Sequence, residues 1–300
     1  MTYKTIRIPA TASQNGEQET IRIENKEAES QELHNQEPEN RELKYLLDSC
    51  SDIGISRKVN QDACCARIFR TQLHTVVLAA VCDGVGGMEE GEYASKSTIQ
   101  ALNNWFDYRL DKLVLEEGKD DLISILSEEI KDVIERQHQT ILAYSREKAI
   151  KTGTTLTAML FVDYNYFIVQ IGDSRAYCVK DGLIQLTEDQ SLVAMEIKEG
   201  RLTEEQARID KRRNIILQCI GASKDLIPVY QRGTILSGAS YFLCSDGFVH
   251  QFSRDELEVA MHPDEQDDIN SMHSRLLKNI EAVKARGEKD NITVVWVRIM

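Results

Sequence analysis

The chain has 300 residues, and its 49 Asp and Glu outnumber its 36 Lys and Arg, giving a formal net charge of −13. Hydrophobic residues make up 42% and charged residues 28%, a composition typical of a globular protein that buries a sizeable core. The longest unbroken apolar run, residues 76–82, is far shorter than the ~20 residues that a membrane span requires. An acidic chain is a poor general ligand for phosphate backbones, so we expect neither a membrane nor nucleic acid as a partner.

The N-terminal sequence and the cysteines bear on the compartment and the chemistry. The first residues lack the apolar stretch and the cleavage site of a secretory signal, so we expect a cytoplasmic protein. The seven cysteines are an odd number without a Cys-x-x-Cys pair, and the six histidines lack metal-ligand spacing. Most of the cysteines lie in apolar runs and are typical of small buried residues. The pattern disfavours a zinc site, a disulfide framework and a Cys/His nucleophile pair.

Residues 1–43 differ in composition from the rest. They contain nine glutamates, five lysines and arginines, and one aromatic residue, Tyr3. Neither a helical nor a strand period runs through them, and such a segment cannot bury enough apolar surface to offset the entropy of ordering. We predict a disordered acidic arm over 1–43. Its similar pieces Thr5–Ile8 and Thr20–Ile23 could each dock as a strand, but a chance similarity over four residues is the better explanation. One domain is expected over 44–300.

From residue 44 onward, strands come in runs and helices in two main blocks. Runs rich in Val, Ile, Thr and aromatic residues predict strands over 73–82, 154–161, 166–171, 176–179, 241–244 and 292–297. Apolar residues at steps of three and four predict helices over Leu122–Ile141 and Ile269–Val283. Because strands and helices do not alternate singly, we expect an α+β fold with helices packed outside the sheets, not a doubly wound parallel sheet.

Aspartates stand at the ends of several predicted strands. They are Asp83, Asp173, Asp246 and Asp290. Asp-Gly is also a common turn dipeptide, and Asp181-Gly182 between two short strands is explained by a hairpin alone. Convergent carboxylates, by contrast, would repel one another unless cations were bound, and all-oxygen ligands select Mg²⁺, Mn²⁺ or Ca²⁺. The sequence therefore predicts a site for hard divalent cations at the strand ends.

The first of these aspartates opens the segment Asp83-Gly84-Val85-Gly86-Gly87. Gly84 would let its own carbonyl approach a metal, and the later glycines permit a tight turn. The spacing differs from Gly-x-Gly-x-x-Gly, so it does not support a dinucleotide site of the Rossmann type.

Eight motifs follow one another along the chain in a recognisable order. They are Arg57-Lys-Val-Asn-Gln-Asp62, Asp83-Gly-Val-Gly-Gly87, Thr152-Gly-Thr-Thr155, Gly172-Asp-Ser-Arg175, Leu186-Thr-Glu-Asp-Gln-Ser-Leu192, Gln218-Cys-Ile-Gly221, Cys244-Ser-Asp-Gly247 and Lys289-Asp-Asn291. In this order they resemble the metal-dependent protein phosphatases of type 2C, also called PPM-type, and most of all their bacterial branch. The resemblance covers roughly residues 44–300.

The resemblance implies a four-layer α-β-β-α sandwich, in which two mainly antiparallel sheets are flanked by helices. It also implies Mn²⁺ or Mg²⁺, as two ions at one end of the paired sheets. Carried over by position, Asp83 would bridge both ions, and the Gly84 carbonyl would bind one of them. Asp246 and Asp290 would bind the other.

Further positions complete the implied site. Asp62 would hold metal-bound waters, and Asp173 together with Asp246 matches a weaker third metal site. Arg57 would clamp the substrate phosphate, because a guanidinium donates two parallel hydrogen bonds. Residues 153–155 would support a strand rather than take part in the chemistry.

The implied reaction is hydrolysis of phosphoserine or phosphothreonine on proteins by a metal-bridging hydroxide, with Arg57, Asp62 and Asp83 as catalytic residues. The implied partners of this monomeric signalling enzyme are phosphorylated proteins, with an opposing Ser/Thr kinase and its substrates. Two alternatives stay open. One is a catalytically silent phosphatase-like module that binds phosphoproteins or metals as a scaffold, and the other is a dedicated signalling-switch phosphatase with a single partner.

Three positions depart from the family pattern. Gln61 stands where many eukaryotic members have Glu, and a neutral amide there predicts weaker or water-mediated binding of one metal. Val85 stands where those members place a His as a general acid. Gln190 replaces a His after Asp189, with a small expected effect on substrate contacts. The core acids are all present, so we expect an active protein.

Residues 191–220 resemble the flap of the bacterial members. Six basic residues give this segment local positive charge: Lys198, Arg201, Arg208, Lys211, Arg212 and Arg213. Two interpretations stay open, a solvated surface and a basic patch that steers phosphoproteins toward the metals.

Overall fold

The computed structural model describes residues 6–8, 11–12, 43–85, 88–116, 121–264 and 268–300. The strands within these ranges are β1 Ile6–Ile8, β2 Thr11–Ala12, β3 Tyr45–Asp52, β4 Asp62–Arg70, β5 Thr75–Asp83, β6 Leu156–Val162, β7 Asn165–Ile171, β8 Arg175–Val179, β9 Leu183–Gln185, β10 Val229–Thr234, β11 Ser240–Cys244 and β12 Ile292–Ile299. The helices are α1 Gly91–Tyr108, α2 Leu110–Glu116, α3 Leu122–Lys148, α4 Leu192–Lys198, α5 Glu204–Ile209, α6 Asp246–Val249, α7 Arg254–Met261 and α8 Ile269–Ala285.

The strands form two six-stranded sheets, ordered β1-β4-β5-β6-β7-β10 and β2-β3-β12-β11-β8-β9. Every pairing is antiparallel except that of β2 with β3. Helices α1, α2 and α3 cover the outer face of the first sheet, and α7 and α8 pack on the second. This arrangement confirms the predicted α-β-β-α sandwich.

Strand β5 shows why the longest apolar run of the sequence is a strand. Val77 and Val81 belong to the core between the two sheets. Leu78 and Ala80, on the opposite face, belong to the core beneath the helices. A strand that is buried on both faces reads as a continuous apolar run rather than as an alternation.

Helix α3 confirms the predicted helical period, including its one polar exception. Leu126 and Ile130 are buried in the core beneath the helices. Gln137 lies on the same buried face, and its Nε2 donates to Ser97 Oγ of α1 at 2.5 Å, which satisfies the amide. The helix begins after Asp121, whose side chain accepts a hydrogen bond from the Ser124 backbone. None of the helices in the described ranges combines the length and the hydropathy that crossing a membrane takes.

Several elements are absent from the sequence prediction. Helix α1 buries small and polar residues, among them Ala94, Ser95 and Thr98, which weaken its apolar period. Strand β4 begins Asp-Ala-Cys-Cys-Ala, a composition with little strand preference. Strand β10 is half exposed and contains Gly233. Strand β3 was also missed.

Two short parts of the predicted disordered arm are strands. Strand β1 pairs antiparallel with residues 66–68 of β4, and β2 pairs parallel with residues 50–51 of β3. Strand β1 lies within Thr5–Ile8, one of the two pieces considered able to dock, whereas β2 was not predicted. The edges of both sheets offer unpaired backbone groups to these strands. The remainder of 1–42, including Thr20–Ile23, lies outside the described residues, and its disorder stays a prediction.

The hairpin predicted at Asp181-Gly182 is confirmed. It joins β8 to β9, which pair antiparallel, and Gly182 has a φ of +143°. This Asp-Gly pair lies apart from the strand-end aspartates and serves below as their control.

Candidate active site

The ends of strands from both sheets meet at one edge of the sandwich. In the first sheet β4 begins at Asp62 and β5 ends at Asp83, and these two residues are direct cross-strand partners. Asp173 lies just after β7. In the second sheet Asp246 follows β11, and Asp290 precedes β12. Because neighbouring strands run antiparallel, the predicted acidic residues are brought to the same edge.

Burial raises the pKa of Asp62, Asp83, Asp173 and Asp246. For Asp62 and Asp83 the pKa lies well above the usual value, mainly through desolvation and then through repulsion by the neighbouring aspartates. Desolvation also raises the pKa of Asp173, followed by the charge of Asp246. Desolvation and then the charge of Asp290 raise the pKa of Asp246 to about 7. The site is therefore a set of mutually repelling carboxylates that a cation would stabilise.

Hydroxyl groups hold the first pair of aspartates in place. Ser245 Oγ donates to Asp62 Oδ2 at 3.1 Å, which joins the second sheet to the first. The Asp83 backbone N–H donates to Thr155 Oγ1 at 2.9 Å, and Thr154 Oγ1 donates to the Asp83 carbonyl at 2.8 Å. Thr154 and Thr155 thus hold the backbone of Asp83 rather than its carboxylate.

Arg57 lies at the mouth of the site. Its Nη2 lies 2.5 Å from Asp290 Oδ2, and its side chain is 37% exposed. The hydrogen bond to Asp290 raises the pKa of Arg57, and the charges of Asp83 and Asp246 add to the effect. The guanidinium therefore borders both the acidic cluster and solvent, where an incoming phosphate would meet it.

Asn291 connects the loops around the site, a role that the sequence analysis did not assign. Its Oδ1 accepts from the Gln61 backbone at 3.0 Å, and its Nδ2 donates to the Ile53 carbonyl at 3.1 Å. Its own carbonyl accepts from Ser245 Oγ at 3.3 Å. The only signal in the sequence was its place beside Asp290 in Lys289-Asp290-Asn291.

His250 and Glu288 also border the site, and neither was predicted from the sequence. His250 Nε2 lies 3.5 Å from Asp246 Oδ2, and His250 Nδ1 lies 3.8 Å from Glu288 Oε2. Desolvation, followed by the charge of Arg175, lowers the pKa of His250 to about 4, so the ring is neutral at pH 7. The four-residue spacing between Asp246 and His250 was an available signal, since such residues share a helix face.

Arg175 is a further charged group near the site. Its Nε and Nη2 donate to the two carboxylate oxygens of Asp189 at 3.1 and 3.0 Å. Its charge lowers the pKa of Asp173 and Asp246 against the effect of burial. Gln190, next to Asp189, accepts from the Gly172 backbone at 2.6 Å and donates its own backbone N–H to Gly172 at 3.0 Å. Gln190 thus holds the turn that precedes Asp173.

The glycine-rich segment is described as far as Val85. Gly84 N–H donates to the Gln61 carbonyl at 2.9 Å, and Val85 N–H donates to the Gly153 carbonyl at 3.0 Å. A Cβ on Gly84 would lie 2.7 Å from the Gly91 carbonyl oxygen, so only glycine fits at position 84. The turn predicted at residues 86–87 lies outside the described residues.

The flap neutralises much of its own basic charge. Arg212 Nη2 lies 2.8 Å from both Glu196 Oε2 and Asp210 Oδ2, and Arg201 pairs with Glu199. Lys198 likewise pairs with Glu188 at 2.5 Å. Arg213 is different, because its charge lowers the pKa of Asp246. The ion pairs favour a solvated surface at Lys198, Arg201 and Arg212, whereas the charge of Arg213 acts on the site.

The residues present fit hard divalent cations. The donors are oxygens, they come from rigid strand ends, and burial opposes their charged form unless positive charge is added. Within the described ranges, the present side-chain conformations place no three Asp, Glu, His or Cys residues where they could hold one ion. Asp290 is bonded to Arg57, and Asp62 to Ser245. Cation binding would therefore require these carboxylates to exchange partners.

Fold and donor set together define the class, an α-β-β-α sandwich with a carboxylate site for divalent cations where the two sheets meet. The family profile for Protein phosphatase 2C matches residues 55–287 of the chain. The chain belongs to the protein phosphatase 2C family.

Curated relatives agree with this assignment. Serine/threonine protein phosphatase PstP of Mycobacterium tuberculosis is 32% identical over 249 residues, which are 82% of this chain and 43% of the relative. The chain thus spans less than half the length of that relative. Protein phosphatase PhpP of Streptococcus pneumoniae is 30% identical over 250 residues, covering 82% of this chain and 94% of the relative.

Solved structures share the fold. The serine/threonine phosphatase of S. agalactiae has a TM-score of 0.73 and 27% identity, covering 86% of this chain and 100% of that one. The catalytic domain of PstP in complex with two manganese ions has a TM-score of 0.67 and 28% identity, covering 86% of this chain and 99% of that one.

Proposed function

We propose that this protein is a metal-dependent serine/threonine protein phosphatase that hydrolyses phosphoserine and phosphothreonine on proteins. The observation that carries the proposal is the convergence of Asp62, Asp83 and Asp246 from two sheets, with Arg57 at the mouth of the cluster. The names of the relatives support the substrate class.

The proposed metal ligands are Asp83 and the Gly84 carbonyl on one side of the site, and Asp83, Asp246 and Asp290 on the other. Asp62 would act through water, and Asp173 with Asp246 would form a weaker third site. Divalent cations bound there would supply Lewis acidity, which polarises phosphoryl oxygens and lowers the pKa of water. Mn²⁺ or Mg²⁺ fits this oxygen donor set, and the PstP structure with two manganese ions supports a two-ion site.

Arg57 is the residue that we propose binds the substrate phosphate. Its planar guanidinium donates two parallel hydrogen bonds to phosphoryl oxygens and keeps its charge at any relevant pH. Its exposure at the mouth of the site gives a phosphorylated side chain direct access. Asp62, 1% exposed and bonded to Ser245, lies at the base, where it would orient water against the bound phosphate.

The cysteines give little support to a phosphocysteine mechanism. All seven are buried. Burial raises the pKa of Cys178 and Cys219 to about 11, and that of Cys82 and Cys244 well above the usual value. Since the thiolate is the nucleophile, such thiols are unreactive at neutral pH. Direct attack of water on phosphorus requires no cysteine and is the route that we propose.

Signalling by removal of phosphate from proteins follows from the proposed activity. The proposed partners are phosphoproteins and the kinase that opposes the phosphatase. A cytoplasmic location is part of the same proposal, and buried thiols that form no disulfide support it, since disulfides persist mainly in oxidising compartments.

The test is phosphate release from a phosphothreonine peptide, with and without Mn²⁺, by the full chain. We expect release only with the metal, and its loss in Asp246→Asn. The matched control is Asp181→Asn, which removes an exposed aspartate from the β8–β9 hairpin and should leave activity unchanged. If the folded wild-type protein releases no phosphate with Mn²⁺ or Mg²⁺, the silent binding module replaces the enzyme as the better hypothesis.

A further inference from the structure

Three segments of the chain, at Gln61, Gly84 and Gly91, pack closely together at the Gly84 side of the site. Gly84 N–H donates to the Gln61 carbonyl at 2.9 Å. A Cβ on Gly84 would lie 2.7 Å from the Gly91 carbonyl oxygen, and a Cβ on Gly91 would lie 2.8 Å from Gln61 Nε2. Helix α1 therefore begins directly against the residue whose carbonyl is a proposed metal ligand.

The first turn of α1 carries a carboxylate to this junction. Gln61 Nε2 donates to Glu92 Oε2 at 3.4 Å, and Glu92 is only half exposed. Glu92 is the acidic residue in the first turn, where the helix dipole favours a negative charge. A carboxylate side chain thus stands beside Gln61, the position where many eukaryotic members of the family have Glu.

We propose that Glu92 supplies the carboxylate that Gln61, as an amide, lacks on the Gly84 side of the metal site. The inference rests on the proposed metal-dependent function and adds a residue to it. Gln61 is then a positioning residue in two ways. Its backbone carbonyl holds Gly84 N–H, and its side-chain amide orients the Glu92 carboxylate.

The neighbouring glutamate of the same helix start is engaged elsewhere. Tyr144 Oη donates to Glu90 Oε2 at 2.5 Å, and Tyr144 stacks on Tyr93 with ring centroids 3.8 Å apart. Glu90 is exposed, and its carboxylate is bonded to α3 rather than to Gln61. Glu90→Gln therefore removes the same charge from the same helix terminus without touching the junction, which makes it the matched control.

The test is calorimetric titration of the metal-free full chain with Mn²⁺, because it reads metal binding rather than activity. Glu92→Gln should weaken one class of Mn²⁺ site about tenfold or more, since removing even a group that only orients a metal ligand weakens binding by that factor. Glu90→Gln should change the affinity by no more than about twofold, because the charge of an exposed carboxylate is screened. The double change Gln61→Glu with Glu92→Gln should restore binding, since it returns a carboxylate to the junction.

Circular dichroism of each variant establishes that the fold is retained. Equal Mn²⁺ affinities for Glu92→Gln and Glu90→Gln overturn the role of Glu92, while loss of binding in Asp83→Asn still supports the metal site itself. Failure of the double variant to regain affinity also counts against Glu92 as the missing carboxylate. Absence of Mn²⁺ binding by the wild-type protein would instead overturn the proposed metal-dependent function, and the role of Glu92 with it.

Discussion

Arg57 and Asp290 form an ion pair across the mouth of the active site, with Arg57 Nη2 2.5 Å from Asp290 Oδ2. A cation bound at the site and the Arg57 guanidinium would therefore compete for the Asp290 carboxylate. A cation that takes the Asp290 carboxylate releases the guanidinium, which then needs a new anion. Metal binding and phosphate binding should therefore favour each other. The cation replaces Arg57 as the partner of Asp290, and the phosphate replaces Asp290 as the partner of Arg57.

The first prediction concerns Arg57. Arg57→Ala should lower kcat/KM for a phosphothreonine peptide about a hundredfold, and Arg57→Lys about tenfold, because Lys keeps the charge but loses the planar pair of donors. Mn²⁺ affinity should stay the same or rise, since Asp290 no longer has a competing partner. Lys58→Ala, at the exposed neighbouring position, is the control for a general loss of positive charge. Weaker Mn²⁺ binding in Arg57→Ala would contradict this account.

The second prediction concerns stability without metal. Asp246 lies among carboxylates that burial and repulsion disfavour in their charged form. Asp246→Asn should therefore raise the melting temperature of the metal-free protein by a few degrees, since it removes one repelling charge from the cluster. The same change should abolish most of the stabilisation that Mn²⁺ gives the wild-type protein. Thermal unfolding in EDTA and in Mn²⁺ measures both, and a variant that gains stability from Mn²⁺ as the wild type does would refute the assignment.

The third prediction is the pH dependence of the metal-free protein. The pKa of Asp246 is raised from 3.8 to about 7 in the folded state. Its contribution to stability is present below the unfolded pKa and is lost as pH rises toward and through about 7. His250, with a pKa lowered from 6.5 to about 4, acts in the opposite sense, and its contribution is lost only as pH falls through that lower range.

Melting temperatures in EDTA should therefore fall between pH 6 and pH 8, and the slope should flatten in Asp246→Asn. Asp181→Asn, which changes an exposed hairpin aspartate, should follow the wild-type curve. A wild-type melting temperature that rises across this interval would contradict a raised pKa for Asp246 and the repulsion between ionised carboxylates in the folded protein.

The carboxylates of the site were predictable because their position is encoded locally. Asp83 and Asp246 each follow a run of buried strand residues, and that pattern is visible in a single stretch of sequence. Their partners were not predictable in the same way. Ser245 contacts Asp62, which lies 183 positions away, and Asn291 accepts from Gln61, 230 positions away. Such contacts depend on which strands become neighbours, and the local pattern does not contain that information.

The fold shows the same division between local and non-local information. Helix α3 was predicted because its buried face is almost wholly apolar, whereas α1 was missed because small residues on its buried face allow close packing on β4 and β5. The contact between Gln61 and Glu92 was likewise not predictable from the local sequence, because it forms only when α1 packs on the sheet. The edge pairings of β1 and β2 likewise depend on sheet edges that exist only in the folded protein.

Two glycines with left-handed backbones offer a test of packing next to the site. Gly221 has a φ of +88°, its N–H donates to the buried His138 Nδ1 at 3.0 Å, and a Cβ there would overlap the side chain of Ile141. Gly238 has a φ of +79°, and a Cβ there would meet nothing within 4 Å. An alanine at either position would therefore have a strained backbone, but only an alanine at position 221 would also overlap a neighbouring side chain.

The fourth prediction follows from this difference. Gly238→Ala should lower the free energy of unfolding by about 1 kcal/mol, because an L residue is strained at that φ. Gly221→Ala should cost about 3 kcal/mol, because the strain is joined by overpacking against Ile141 in α3. It should also reduce activity, since Ile220 exchanges backbone hydrogen bonds with Thr154, and Thr154 Oγ1 holds the carbonyl of Asp83. Urea unfolding and peptide assays of both variants give the comparison. Equal losses of stability would mean that the Ile141 side chain repacks at little cost in free energy. The proposed coupling from α3 through Thr154 to Asp83 would then have no support.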